Sequence, residues 1–257
     1  VKGALPAKTY DLEFLQRLSK PERGERARSL LDLIELRTFD LELAAFLVSQ
    51  VWHGASYITG SGPGGVGKTT TMRALLSFVP AGLHLVTALP GEVSSIGGHR
   101  HCVIANELSD HPPPTYLWGD NLRAFFALGA AGHMLVGNVH ADDLDELHGQ
   151  IVGTNRVPEA RFRAIDLLVF ICLEGGNPAQ GRVKDTTTRR VVNRIYYSDG
   201  SAPHRPIYDP QRGLLANAPR DREHERRCRA FLEKMLKDKE RSLEGVRQRF
   251  LEWNKAE

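Results

Sequence analysis

Three cysteines in 257 residues, Cys102, Cys172 and Cys228, lie far apart and share no metal or redox spacing. They argue against a disulfide framework and fit a reducing, cytoplasmic interior. Long apolar runs are also lacking. The longest clean one, Leu167 to Leu173, falls well short of the ~20 residues that span a bilayer. No signal peptide is visible at the start of the sequence, so any membrane link is expected to pass through a partner. Charge of one sign is not in excess: a net charge of +3 is too slight to argue for nucleic acid by itself. There is no internal repeat and no low-complexity tract. What remains is an ordinary globular composition, 41% hydrophobic and 25% charged. The length suits one large α/β domain, or one such domain with small appendages.

What is present in abundance is glycine, at one place. The stretch ITGSGPGGVGKTTTM, from Ile58 to Met72, meets the pattern G-x-x-x-x-G-K-[ST] with Gly62, Pro63, Gly64, Gly65, Val66, Gly67, Lys68 and Thr69. Glycines let backbone N–H groups turn inward and form a nest for phosphate oxygens. A helix expected to open near Lys68, with Thr70 in its first turn, adds the positive end of its dipole. Lys68 is expected to reach the β and γ phosphates, and the Thr69 hydroxyl to ligate Mg²⁺. Ala55–Thr59 reads as a strand before the loop and Thr70–Leu76 as a helix after it. That context favours a nucleoside triphosphate site over a chance glycine-rich turn. Partitioning-type ATPases carry a second lysine where Pro63 stands, and signalling NTPases with the same GGVGKTT core need a long helical region downstream that is absent here.

The chain divides into four parts. A helical segment, 1–52, contains expected helices capped by Asp11, opened by Ser19 with Pro21, and opened by Asp40. From 53 to 200, β-rich runs alternate with helical ones, as in an α/β P-loop NTPase core. Its candidate strands are Leu83–Thr87, Cys102–Ala105, Met134–Asn138, Leu167–Leu173 and Arg190–Tyr197. Residues 201–219 read as a Pro-rich irregular linker. Residues 220–257 read as a charged helix whose Leu232, Met235, Leu236, Leu243, Val246, Phe250 and Trp253 form a seam interrupted by Lys239. Packing of that seam onto its own domain is favoured over a coiled coil. Acidic neighbours of Arg226, Arg227 and Arg229 weaken a nucleic-acid role.

Hydrolysis needs a carboxylate at a strand tip beside the loop. Glu107, at the end of the apolar run from Cys102, is the candidate for orienting water or holding metal. Glu174 ends a second apolar run but leads straight into Gly175-Gly176-Asn177-Pro178, which looks like a hairpin exit.

From Glu107 onward the chain resembles the ATPases of type II and type IV secretion systems and of type IV pili. The stretch Asn106-Glu107-Leu108-Ser109-Asp110 stands at the Walker B place. Gly132-His133, an apolar strand and His140-Ala141 match the next signature, and Arg163-Ala164-Ile165-Asp166 with its strand the one after. The resemblance implies a RecA-like ATPase core using ATP and Mg²⁺. It also implies a homo-oligomeric ring, a hexamer, with sites at subunit boundaries, serving pilus or secretion machinery or its membrane platform. It places His140 and Glu92 on the γ-phosphate side. Departures are plain: Ala88-Leu89-Pro90-Gly91-Glu92 keeps only part of the family's acidic box, and Arg100 is the one arginine between Glu92 and Glu107. Arg100 is therefore the candidate for an arginine shared with a neighbouring subunit, with Arg123 in reserve. Two other readings stay open: an assembly switch with little hydrolysis, and a DNA-translocating ATPase. A transition-metal site among His133, His140, Asp142, Asp143, Asp145 and His148 is not favoured, since Asp142 to Asp145 suit a helix cap.

Overall fold

The computed structural model describes residues 7–20, 26–62, 64–111, 114–176 and 187–255. Pro21, Pro63, Asn177 and Pro178 lie outside them. Three helices come first: α1 (Ala7–Ser19), α2 (Leu30–Glu35) and α3 (Leu41–Trp52). Asp40 caps α3 as expected, its carboxylate accepting from the Leu43 N–H at 2.7 Å. Asp11 does not cap α1. It lies inside the helix, buried, and binds Arg247 at 3.0 Å. The second helix opens not at Ser19 but at Ser29, whose backbone N–H donates to Asp32 at 2.7 Å.

The sheet follows. Strand β1 (Tyr57–Gly60) leads into α4 (Lys68–Leu76), β2 (His84–Thr87) and β3 (His101–Leu108). Helix α5 (Gly119–Ala130) leads to β4 (Met134–Val139), and α6 (Leu144–His148) and α7 (Glu159–Arg163) precede β5 (Leu167–Glu174). Strands β6 (Arg189–Tyr197), β7 (Arg205–Asp209) and β8 (Gly213–Leu214) complete a sheet of order β2-β3-β4-β1-β5-β6-β7-β8. From β2 to β5 all neighbours are parallel, and β6 to β8 are antiparallel additions. Parallel strands are buried on both faces, so they read in sequence as unbroken apolar runs. This is an α/β fold, a mainly parallel sheet with helices on both faces and helical additions at both ends.

Two stretches differ from expectation. The Pro-rich linker carries β7 and β8, with Pro206 near the start of β7, where a missing N–H is tolerated. The charged C-terminal segment is two helices, α8 (Arg222–Leu236) and α9 (Leu243–Lys255). Arg241 stops the first by donating to the carbonyls of Met235, Leu236 and Asp238 at 3.2, 3.2 and 2.7 Å. The seam residues Leu232, Met235, Leu243, Val246 and Phe250 are all buried in the chain's own core. That core covers one face of the sheet and includes α1, α3, α4, α8 and α9, while a second apolar cluster with α5 and α7 covers the other.

Strand order sets up the site. β4 lies between β1, which feeds the glycine-rich loop, and β3, which carries Glu107. Side chains at the C-terminal end of β4 therefore stand between the loop and the acid.

Candidate active site

The loop leaves β1 at Gly60 and reaches Lys68, the first residue of α4. Gly65 and Gly67 have φ of +79° and +114°, which a side chain at either place would strain. Gly67 is also the cap of α4, so the turn that aims the loop's N–H groups depends on it. Gly62, the motif's first glycine, donates its N–H to Asp142 Oδ1 at 2.7 Å. The Asp142 carboxylate sits where a Cβ on Gly62 would fall.

Lys68 is only 6% exposed and Glu107 only 4%. The Lys68 ammonium lies 3.3 Å from Glu107 Oε1 and 2.9 Å from His140 Nδ1, and His140 Nε2 lies 3.8 Å from Glu107 Oε1. Burial pulls the Lys68 ammonium below the usual lysine range, and the Glu107 carboxylate opposes that shift. His140 Nδ1 is also 3.0 Å from the Gly62 carbonyl. A lysine only donates and a carbonyl only accepts, so the two contacts compete for that nitrogen. A bare Nδ1 binds Lys68, and a protonated one binds the loop.

Glu107 reaches this cluster through a bulge. Between Ala105 and Leu108 the β3 strand advances one residue more than β4 does between Gly137 and Val139. The extra residue falls at Asn106-Glu107 and re-aims the carboxylate. Glu107 Oε1 is buried, with the Lys68 ammonium at 3.3 Å as its ion-pair partner. Oxygen donors are what a hard divalent cation takes, and Thr69 and Glu107 supply them. The residues present fit Mg²⁺. Among the described residues, no three histidine, cysteine or carboxylate side chains stand together as a metal group.

The other candidates fall elsewhere. Glu92 is exposed in a turn before Val93–Ser95, and no polar contact of the Lys68 cluster involves it among the described residues. Arg100 precedes β3, with Nε donating to the Gly132 carbonyl at 2.7 Å. About 20 Å of extended strand separates it from Glu107, at the opposite edge of the sheet. Arg123, on α5, binds Asp120 of the same helix and the Asn155 carbonyl before α7. Glu174 is paired with Arg189 at 2.7 Å. Of the acidic run after His140, Asp143 caps α6 by accepting from Glu146 N–H at 2.9 Å, while Asp142 turns to the loop.

Two groups at the site had no local signal. Arg190 donates to the Gly65 carbonyl at 3.1 Å, and its stem lies against Gly67. Burial first, then the nearby Arg28 charge, holds its guanidinium below the usual arginine range. Asn138 on β4 touches Thr69. A cavity of about 560 Å³ opens beside the loop, with Thr70, Arg73, Leu33, Thr38, Ile171 and Arg190 in its walls. Such a volume suits a nucleoside.

No family model matches the chain, and no curated protein matches it. Among solved structures it is similar to the VirB11 ATPase from the Brucella suis type IV secretion system in complex with sulphate. That match has 18% identity over 65% of this chain and 55% of the other, with a TM-score of 0.41. It is also similar to the Legionella pneumophila ATPase DotB, at 12% identity over 87% of this chain and 58% of the other, with a TM-score of 0.40. The chain spans little more than half the length of the structures it matches. Among the described residues, no helix is long and apolar enough to cross a membrane.

Proposed function

We propose that this chain is a P-loop ATPase that hydrolyses MgATP, working in an oligomer of the kind its sequence resemblance implies. The observation that carries the reading is the convergence of Lys68, Glu107 and His140, two of them buried, at the mouth of a glycine-rich loop. The triphosphate lies along the loop, its nucleoside toward the cavity by Thr70 and Arg73 and its γ-phosphate toward Glu107. Lys68 leaves Glu107 for the β and γ oxygens, because the triphosphate offers more negative charge than one carboxylate. Glu107, relieved of its ion pair, holds the attacking water in line and accepts its proton. His140 Nε2 faces the same γ end. Thr69 and Glu107 would hold Mg²⁺, which supplies charge neutralisation on the β and γ oxygens.

In the Lys68→Ala variant, ATP binding weakens and phosphate release is abolished. Unchanged affinity and rate would overturn the site. Arg100 lies too far from the loop to serve its own subunit, so its part in catalysis is toward a neighbouring copy. Specific activity then rises with protein concentration, and Arg100→Ala lowers turnover while ATP binding persists. Constant specific activity down to monomeric dilution would remove the shared site.

The assembly-switch reading also has an observation in its favour. The loop's own groups are engaged internally, Gly62 with Asp142 and Lys68 with Glu107 and His140. Nucleotide must displace both, which suits a state change on binding. Steady-state phosphate release separates the two readings, and stimulation by DNA would point instead to a translocase.

A further inference from the structure

Asn138 is the side chain that β4 places between the loop strand and the Glu107 strand, and it is fully buried at 0% exposure. A buried amide is costly unless its donors and acceptor are all used. Asparagine is also a poor strand former, whereas valine or threonine would fill similar space on β4 more favourably. Its presence is accounted for by what it binds.

The partners determine which way the amide faces. The Asn106 carbonyl can only accept, so Nδ2 faces it, at 3.0 Å. Oδ1 then faces the Thr59 hydroxyl on β1, which donates to it. The remaining Nδ2 proton points at Thr69 Oγ1, 3.3 Å away. One side chain thus joins the loop strand, the metal-side threonine and the bulge that aims Glu107. Two of its three bonds end on groups that bear on the site.

We propose that Asn138 is a positioning residue for the divalent cation. Its N–H occupies one lone pair of the Thr69 hydroxyl and leaves the other for the cation. Its hold on the Asn106 carbonyl keeps the bulge, so that the Glu107 carboxylate and the Thr69 hydroxyl point to one place. This rests on the reading of the loop as an MgATP site. Asn138 acts through Thr69 and Glu107 and makes no contact with substrate.

The test is the Mg²⁺ dependence of nucleotide binding, measured with the fluorescent nucleotide mant-ADP in Mg²⁺ and in EDTA. Wild type, Asn138→Ala, Asn138→Val, Thr69→Ala and the Asn138→Ala/Thr69→Ala double variant are compared, each with a melting curve. In wild type, Mg²⁺ tightens binding. In both Asn138 variants that enhancement falls about tenfold or more, in the range that outer partners of metal ligands command, while affinity in EDTA is unchanged. In the double variant the loss is smaller than the sum of the two single losses, because Asn138 acts partly through the Thr69 contact that Thr69→Ala already removes. Should Asn138→Ala fail to fold, Asn138→Val, suited to a buried strand, carries the comparison. An undiminished Mg²⁺ enhancement in a folded Asn138 variant, or additive losses in the double variant, overturns the proposal. A wild-type chain that binds no nucleotide in either buffer overturns the loop reading itself, and this proposal with it.

Discussion

The parallel part of the sheet has a polar cluster at each end of its strands, and the two are built differently. At the C-terminal ends, Lys68 and Glu107 bring opposite charges together out of water, with the half-buried His140 beside them. At the N-terminal ends, His84, His101 and His133 form a row, with ring centroids 6.3 and 5.4 Å apart and the second pair stacked. That row is closed by its own bonds: the His101 N–H donates to His133 Nδ1 at 3.1 Å, and Arg100 to the Gly132 carbonyl at 2.7 Å. The buried polar atom at the first end is a carboxylate oxygen, Glu107 Oε1, facing the Lys68 ammonium, and at the other a ring nitrogen, His101 Nδ1. The difference follows from chain direction. In a parallel sheet each strand's C-terminal end leads toward a helix N-terminus, so donors and positive dipole ends gather at that edge alone. The opposite edge has no such convergence within one chain.

The sharpest way to break the comparison is to substitute at each edge. Glu107→Gln keeps size and hydrogen bonding but loses the carboxylate. Turnover falls by about a hundredfold or more, as for loss of a general base, with MgATP still bound. His133→Gln at the far edge leaves turnover per folded molecule unchanged, and so does Glu174→Gln. If Glu174→Gln abolishes turnover and Glu107→Gln does not, the catalytic edge has been assigned to the wrong strand.

A second substitution tests the structural edge through stability. Asp11 accepts from the Leu85 N–H at 3.3 Å and binds Arg247, whose side chain is fully buried and also donates to the Val79 carbonyl at 2.8 Å. Burial, opposed by Asp11, holds the Arg247 guanidinium below its usual range. Asp11→Ala strands that charge and costs about 3–5 kcal/mol in urea unfolding, without altering turnover in the folded fraction. A loss near zero would mean that Arg247 finds water or another partner.

The smallest effect is on acid stability. Burial holds both His101 and His133 below the usual histidine range, with the His133 charge adding to the shift of His101 and the Arg100 charge to that of His133. A depressed folded pKa means that the unfolded chain takes up protons first. The stability of the neutral stack is therefore complete above about pH 6.5 and is lost as pH falls below it, levelling off under the folded values. Melting temperature followed from pH 7.5 down to 5 shows this decline, and His133→Gln makes it shallower. An identical slope in the variant would place the acid sensitivity elsewhere.

Much of the fold was legible in the sequence because its signals are local. The loop is a run of adjacent residues whose backbone geometry and charge are specified by neighbours, so Gly62 to Thr69 could be read directly. The central parallel strands announce themselves because burial on both faces makes them largely apolar runs, and Glu107 stands near the end of one of them. Asp40 could be read as a cap because a cap acts within one turn. Other features were invisible for the complementary reason. Asp11 has the composition of a cap, yet its partner Arg247 lies at the far end of the chain. The turn at Arg241 breaks a helix that the apolar spacing alone would continue, because the arginine reaches back to carbonyls of the preceding helix. Arg190 meets the loop only because β6 returns antiparallel beside β5. Asn138 gains its meaning from strand order, since the placement of β4 between β1 and β3 comes from long-range pairing. Contacts set within a few residues belong to the sequence alone, and contacts that wait for distant strands to choose neighbours were decided by the tertiary structure.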